Sequence, residues 1–306
     1  MAFNILKKGI FLALFILVSC QSKTSKYYDN LEIKEVSEIE SKKKRERFSK
    51  LDANKELFAI ASWNIRDLGR TKNPEEITSI SKVIKDYDLI LIQEIVGKDP
   101  AGIQAVAKIV DELNRLGSKW DYSVSNPTNS PSANMSERYG YLWKVNKATL
   151  KGKAYLDKDL EKLCYREPYI GTFVFKGRSE SVTLVNYHSR KHNDKPEEEI
   201  IHLKDYKRRL GIDNIIISGD FNLNEKHPVW DNFYNNGFVN ALENTSTTLK
   251  TKCKSGNYLN HSIDNIFSSD SIKVIKSGNI DFVKTCKNLN EARKLSDHLP
   301  VFIQFQ

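Results

Sequence analysis

Residues 215–222 read Ile-Ile-Ile-Ser-Gly-Asp-Phe-Asn, and residues 296–303 read Ser-Asp-His-Leu-Pro-Val-Phe-Ile. In each, a short apolar run meets a polar cluster. An apolar run of this length bounded by turn formers reads as a buried strand. Carboxylates, amides and imidazoles at strand ends face a cleft rather than a core, where metal-assisted hydrolysis needs them. An Asp after a strand is often only a turn former. Two such clusters, with the matching fragments below, point instead to a site.

Working outward, apolar runs alternate with helical patterns. Phe58 to Trp63 and Leu89 to Ile92 read as strands, as do Trp120 to Val124, Tyr139 to Val145, Tyr169 to Phe175, Val182 to Tyr187, Ser262 to Phe267 and Lys273 to Lys276. Ile77, Ile80 and Ile84 give Pro74 to Lys85 a helical period, and Ala101 to Leu116 is amphipathic. Glu197 to Leu210 reads as a charged helix, with a shorter one near Val229 to Asn235. The Asn, Pro and Ser run from Asn126 to Asn134 is a loop. Several neighbouring strands have no helix between them, so part of the pairing is antiparallel. The expected class is α/β (α+β), a sandwich of two mixed β-sheets flanked by helices rather than a doubly wound parallel sheet.

The chain divides into three parts. Lys7 and Lys8 precede the apolar run Ile10 to Val18, a signal-peptide pattern over residues 1–19. The run ends in Leu17-Val18-Ser19-Cys20, which resembles a bacterial lipobox and implies cleavage before Cys20 and lipid on that residue. The implied location is the cell envelope or surface, with the membrane reached through the N-terminal lipid. Residues 20–57 are a charged tether with the run Lys42-Lys43-Lys44-Arg45-Glu46-Arg47 and no dense apolar set to bury. Residues 58–306 suffice for one large core. The formal charge is +9, and falls to +7 without residues 1–19, which hold Lys7 and Lys8 and no acid. A moderately basic protein favours polyanions. Cys164, Cys253 and Cys286 lack metal-ligand spacing. Export permits a disulfide, and Cys253 with Cys286 is the favoured pair, although the sequence leaves its formation open.

Seven fragments carry hydrolytic residue types. They are Trp63-Asn64-Ile65-Arg66, Gln93-Glu94, Glu137-Arg138-Tyr139, Asn186-Tyr187-His188-Ser189, Asp220 with Asn222, Ser262-Ile263-Asp264-Asn265, and Asp297-His298. Acids and amides suit a hard divalent cation. Glu94 is the foremost ligand, because a Glu ending a buried strand is costly unless paired or bound. Asn64, Asp220, Asn222 and Asp297 would complete an oxygen-lined site. His188 and His298 remain for proton transfer. Each needs a carboxylate on its far nitrogen to fix the tautomer, and Glu137 and Asp264 are available.

From Phe58 onward these fragments, in this order, resemble the endonuclease/exonuclease/phosphatase superfamily, and within it the deoxyribonuclease I group. The narrower likeness lies in Trp63-Asn64-Ile65-Arg66 with Leu68-Gly69, in Glu137-Arg138-Tyr139, in Arg166-Glu167-Pro168 and in His188-Ser189. The resemblance implies a four-layer α/β sandwich with one cleft. It implies magnesium, with manganese or calcium as alternatives, near Glu94, Asn64 and Asp297, and Asp220 and Asn222 beside the scissile phosphate. Arg66 and Arg166, with Asn222, match phosphate and DNA contacts. His188 with Glu137 and His298 with Asp264 match two His–carboxylate pairs. One His activates water and the other protonates the leaving oxygen; which does which stays open, with His298 favoured as base. The group's minor-groove Arg and Tyr are replaced by Val96 and Met135, and Glu225 and His261 stand near the places of its structural disulfide.

The reading that follows is a DNA endonuclease leaving 5′-phosphate and 3′-hydroxyl ends, acting as a monomer without an obligate protein partner. A phosphatase or sphingomyelinase-like phospholipase C on the same scaffold is the alternative. A non-enzymatic binding module would need degenerate ligand or proton-transfer positions, and none is visible.

Overall fold

A computed structural model of the protein describes residues 56–98, 100–132 and 135–306. The signal segment, Cys20 and nearly all of the tether fall outside the described residues. In chain order the strands are β1 (Phe58–Leu68), β2 (Leu89–Val96), β3 (Trp120–Val124), β4 (Glu137–Lys144), β5 (Ala148–Leu150), β6 (Tyr155–Leu156), β7 (Tyr169–Phe175), β8 (Ser181–His188), β9 (Ile215–Asp220), β10 (Phe238–Asn240), β11 (Leu249–Lys254), β12 (Asn257–Leu259), β13 (Asp264–Ser269), β14 (Val274–Asn279) and β15 (Val301–Phe305). One sheet runs β14-β15-β1-β2-β4-β3 and the other β10-β13-β9-β8-β7-β5, with β6 beside β7; β11 and β12 form a separate ribbon.

Each sheet is mixed. β1 and β2 are parallel, as are β8 and β9, and their other neighbours are antiparallel. A parallel pair needs a crossover. The helix Pro74–Ile84 supplies the first, opened by a capping box between Asn73 and Glu76. The segment 197–210 supplies the second.

Period-two alternation assigns each side chain to a layer. Phe58, Ile60, Leu89, Leu91, Tyr139, Tyr141, Val182, Leu184, Ile216 and Ile266 meet between the sheets. Ala61, Trp63, Ile90 and Ile92 point to the outer side of the first sheet, where they pack on the helices Pro74–Ile84 and Ala101–Arg115. Val185, Tyr187, Ile215 and Ile217 do the same on the second sheet, against Ile200, Leu203 and Tyr206. Helix, sheet, sheet, helix is the four-layer order.

Some elements differ from the sequence reading. Glu197 to Leu210 is not one helix but Glu197–Ile200, a 3₁₀ turn Ile201–Asp205 and Tyr206–Leu210. Its buried residues Ile200, Leu203 and Tyr206 are spaced by three, and three residues per turn keeps such a set on one face. The helix Leu289–Leu295, absent from that reading, has the same spacing at Leu289, Ala292 and Leu295. The strands also extend into their polar ends, β8 to His188 and β9 to Asp220. Cys253 and Cys286 are bonded, and Cys164 is a buried free thiol.

Gly219 lies opposite Tyr187 in the parallel β8–β9 pair, with φ of 153°. A Cβ there would collide with the Tyr187 carbonyl oxygen. Gly219→Ala should therefore cost about 3 kcal/mol or more, read as a lower urea midpoint at unchanged m. A midpoint within error of wild type would show that the β8–β9 ladder yields without strain.

Candidate active site

The parity that fills the core also builds the site. Beyond Ile60 and Ser62 on β1 comes Asn64; beyond Leu184 and Asn186 on β8, His188; beyond Ile216 and Ser218 on β9, Asp220. Glu137 and Asp264 begin β4 and β13 on the same inner side as Tyr139 and Ile266. Beneath them lies a layer of amides. Asn186 Nδ2 donates to the Ile92 and Gly140 carbonyls at 3.1 Å each, and Gln93 Nε2 donates to Asn186 Oδ1 at 2.6 Å and Ser62 Oγ at 3.0 Å.

Glu94 breaks the parity. Alternation would send it outward with Ile90 and Ile92. Its φ of 58° and the register shift between Ile92 and Ile95 form a bulge that turns it toward Asn64. Asn64 Nδ2 donates to Glu94 Oε1 at 2.9 Å and to Asp220 Oδ2 at 3.0 Å. Burial raises the Glu94 pKa.

Two imidazoles close around Asp220. His188 Nδ1 lies 2.8 Å from Glu137 Oε2, and His298 Nδ1 lies 2.9 Å from Asp264 Oδ2. The opposite nitrogens face Asp220 Oδ2, at 3.5 Å for His188 Nε2 and 3.8 Å for His298 Nε2. Burial opposes charge on both rings, but the carboxylates outweigh it. Glu137 is the main influence lifting His188, and Asp264 with Asp220 lifts His298 to about 10.

Supporting groups fix this geometry. Arg166 Nη2 pairs with Glu137 Oε1 at 2.9 Å, and its Nη1 donates to the Ser189 carbonyl at 3.0 Å. The His188 amide donates to the Tyr139 hydroxyl at 3.1 Å. Asn222, at φ 49°, donates its amide to Asp220 Oδ1 at 2.8 Å. Sequence reasoning missed Thr247, whose hydroxyl donates to Asp264 Oδ2 at 2.6 Å; it sits in a Ser/Thr run that carries no signal. The part played by Ser296 was also missed: its hydroxyl donates to the Asn64 carbonyl at 2.6 Å and accepts the His298 amide at 3.1 Å.

Asn64, Glu94, Glu137, His188, Asp220, Asp264 and His298 are thus brought together. Asp297 is placed otherwise: its Oδ2 pairs with Arg66 at 3.2 Å and Arg293 at 3.6 Å. Among the described residues the groups able to share a cation are Glu94, Glu137 and His188, and Asp220, Asp264 and His298. Both arginines expected at phosphate, Arg66 and Arg166, are held by carboxylates. The loop after Asn222 is tied by Glu225 accepting the Asn244 amide at 3.1 Å.

The residues fit a hard cation. Asn64 Oδ1 is buried with no hydrogen-bond partner, and its Nδ2 holds the half-buried Glu94 carboxylate. An oxygen-rich donor set of this kind suits magnesium, manganese or calcium.

Residues 182–302 match the family model described as endonuclease-reverse transcriptase. The chain is 27% identical to deoxyribonuclease gamma of Rattus norvegicus over 266 residues, covering 81% of this chain and 84% of that one. An endonuclease/exonuclease/phosphatase family protein from Bacteroides thetaiotaomicron superposes with a TM-score of 0.58 at 16% identity, covering 82% of this chain and 97% of that one. A mannosyl-6-phosphatase from Bacteroides thetaiotaomicron superposes with a TM-score of 0.55 at 15% identity, covering 81% and 99%.

In metal-free protein His298 should stay protonated above the ordinary value of about 6.5. Because the folded pKa is raised, the stabilisation from the ion pair is complete below about 6.5 and is lost as pH rises toward 10. Asp264→Asn should move the His298 imidazole titration downward, followed by ¹⁵N NMR in EDTA. An unshifted titration would remove Asp264 as the cause.

Proposed function

We propose that this chain, which belongs to the endonuclease/exonuclease/phosphatase superfamily and has deoxyribonuclease I-like relatives, is a divalent-metal-dependent DNA endonuclease. It hydrolyses phosphodiesters to 5′-phosphate and 3′-hydroxyl ends by in-line attack of water. The observation that carries this reading is the pair of carboxylate-held imidazoles whose Nε2 atoms converge on Asp220 Oδ2.

The chemistry follows from the hydrogen bonds. A carboxylate on each Nδ1 holds that nitrogen's proton and leaves Nε2 for exchange with the substrate. One Nε2, unprotonated, takes a proton from the attacking water; the other, protonated, gives one to the departing 3′ oxygen. Asp220 keeps the two rings at a fixed separation and favours the imidazolium that forms. Asn64 and Glu94 would hold the cation, which when bound offsets negative charge gathering on the phosphate oxygens. Arg66, which is partly exposed, is the nearer of the two arginines to solvent and suits a phosphate contact.

The same fold carries a mannosyl-6-phosphatase, so the fold alone does not select DNA. The sequence relatives favour it, since those matched over most of the chain are named deoxyribonucleases. Lipid on Cys20, an envelope location and a monomeric state belong to this proposal and rest on the sequence.

Plasmid DNA should be cut in magnesium and left intact in excess EDTA. Glu94→Ala should lose most activity while keeping the wild-type circular dichroism spectrum. Cutting that persists in EDTA would overturn the metal requirement.

His188→Ala and His298→Ala should each lower turnover at least ~10²-fold. The double variant should lose far less than the product, as groups acting as a unit do. Near wild-type turnover in either single variant would remove that ring from the mechanism.

A further inference from the structure

Between Thr248 and Asn260 the chain leaves the sandwich as the ribbon β11–β12. β11 reads Leu249-Lys250-Thr251-Lys252-Cys253-Lys254. Its first residues are fastened to the segment that carries Asp297 and His298. The Leu249 amide donates to the Asp297 carbonyl at 2.8 Å, and Thr248 bridges His298. The Leu249 side chain is buried with Val283, Leu289, Ala292 and Leu299. Arg293 Nη1 donates to the Leu249 carbonyl at 2.7 Å. At the far end Cys253 is bonded to Cys286, just ahead of the helix Leu289–Leu295 that leads into the site.

Lys250, Lys252 and Lys254 line one groove of about 430 Å³ with Arg293. The groove's acidic lining residue is Asp297, already paired with Arg66 and Arg293. None of the three lysines has a carboxylate partner among the described residues. Lysines on a loose loop would be a solvated face. Here a strand braced by a disulfide and by core packing holds them beside the residue that precedes His298. Like charges aligned without counter-charge repel one another, and a polyanion in the groove relieves that repulsion. A phosphomonoester would not reach along the strip; a phosphodiester chain with one phosphate at His298 would.

We propose that β11–β12 is a backbone clamp, and that the DNA strand flanking the scissile phosphate runs along Lys250, Lys252 and Lys254. The proposal rests on the nucleic-acid reading above and adds the path of the polymer. The expected contacts are to phosphates, so they strengthen binding without selecting sequence.

The test is binding of a short fluorescent duplex to the full chain in EDTA, across a salt titration. The variants are Lys250→Gln/Lys252→Gln/Lys254→Gln and an equal-charge control, Lys151→Gln/Lys153→Gln/Lys176→Gln, at exposed positions around the edge strand β5. The ribbon triple should lower the log–log salt slope by about 2.7, at about 0.9 per released counterion, and the control should leave it unchanged. Equal shifts in both triples, or none in either, overturn the clamp. So does a ribbon triple that loses binding to anionic lipid vesicles but not to DNA. A wild type that neither binds nor cuts duplex sinks the nuclease reading itself. A wild type that cuts DNA with its slope unmoved in the ribbon triple sinks only the clamp.

Discussion

The alternation of side chains along five strands sets everything else in this molecule. One face of β1, β4, β8, β9 and β13 supplies the apolar layer between the sheets, and the same face supplies Asn64, Glu137, His188, Asp220 and Asp264 at the strand ends. A slip of one residue would turn that whole set away and drive outward-facing groups into the core. Core packing and site geometry are therefore one constraint. The burial of Leu184 and Ile216 holds His188 and Asp220 opposite one another in the β8–β9 ladder.

Glu94 is the exception. A non-glycine residue in the left-handed region costs on the order of 1–3 kcal/mol and persists only where its surroundings impose it. Here the imposing parts are Ile92 and Ile95 on either side of the bulge, both fully buried, and the Asn64 amide that receives the carboxylate. The strain falls on the side chain best suited to a cation.

Much of this was legible in the sequence, for reasons that can be named. Runs such as Ile215 to Ser218 are too short and apolar to be anything but buried strands, and their polar ends announce a cleft. The types needed for two His–carboxylate pairs were visible too. Which carboxylate meets which ring came from the family resemblance and not from local pattern, since His188 and Glu137 are 51 residues apart and meet only through the sheet order. The bulge at Glu94 was illegible because no glycine or proline marks it. Thr247 was illegible because a hydroxyl in a polar run gains meaning only from the Asp264 carboxylate beside it. Asp297 was read as part of the oxygen-lined set, and its pairing with arginines was not visible. Its neighbour His298 suggested the cluster, while the arginines that capture it come from elsewhere, Arg66 on β1 and Arg293 on the preceding helix.

The amide layer of Gln93, Asn186 and Ser62 has a consequence for how the site senses charge. Below it the interior is aromatic and aliphatic, with Tyr141 and Leu184 fully buried; above it stand the carboxylates and imidazoles. The amide N–H donors are spent on one another, on Ser62 and on strand carbonyls, so this floor turns no free donor toward the site. Field lines from the site cannot relax into a polarisable medium beneath it and are focused toward the open side. A unit of charge gained or lost at either ring is thus felt strongly by whatever approaches the mouth, as well as by the carboxylates that hold the rings.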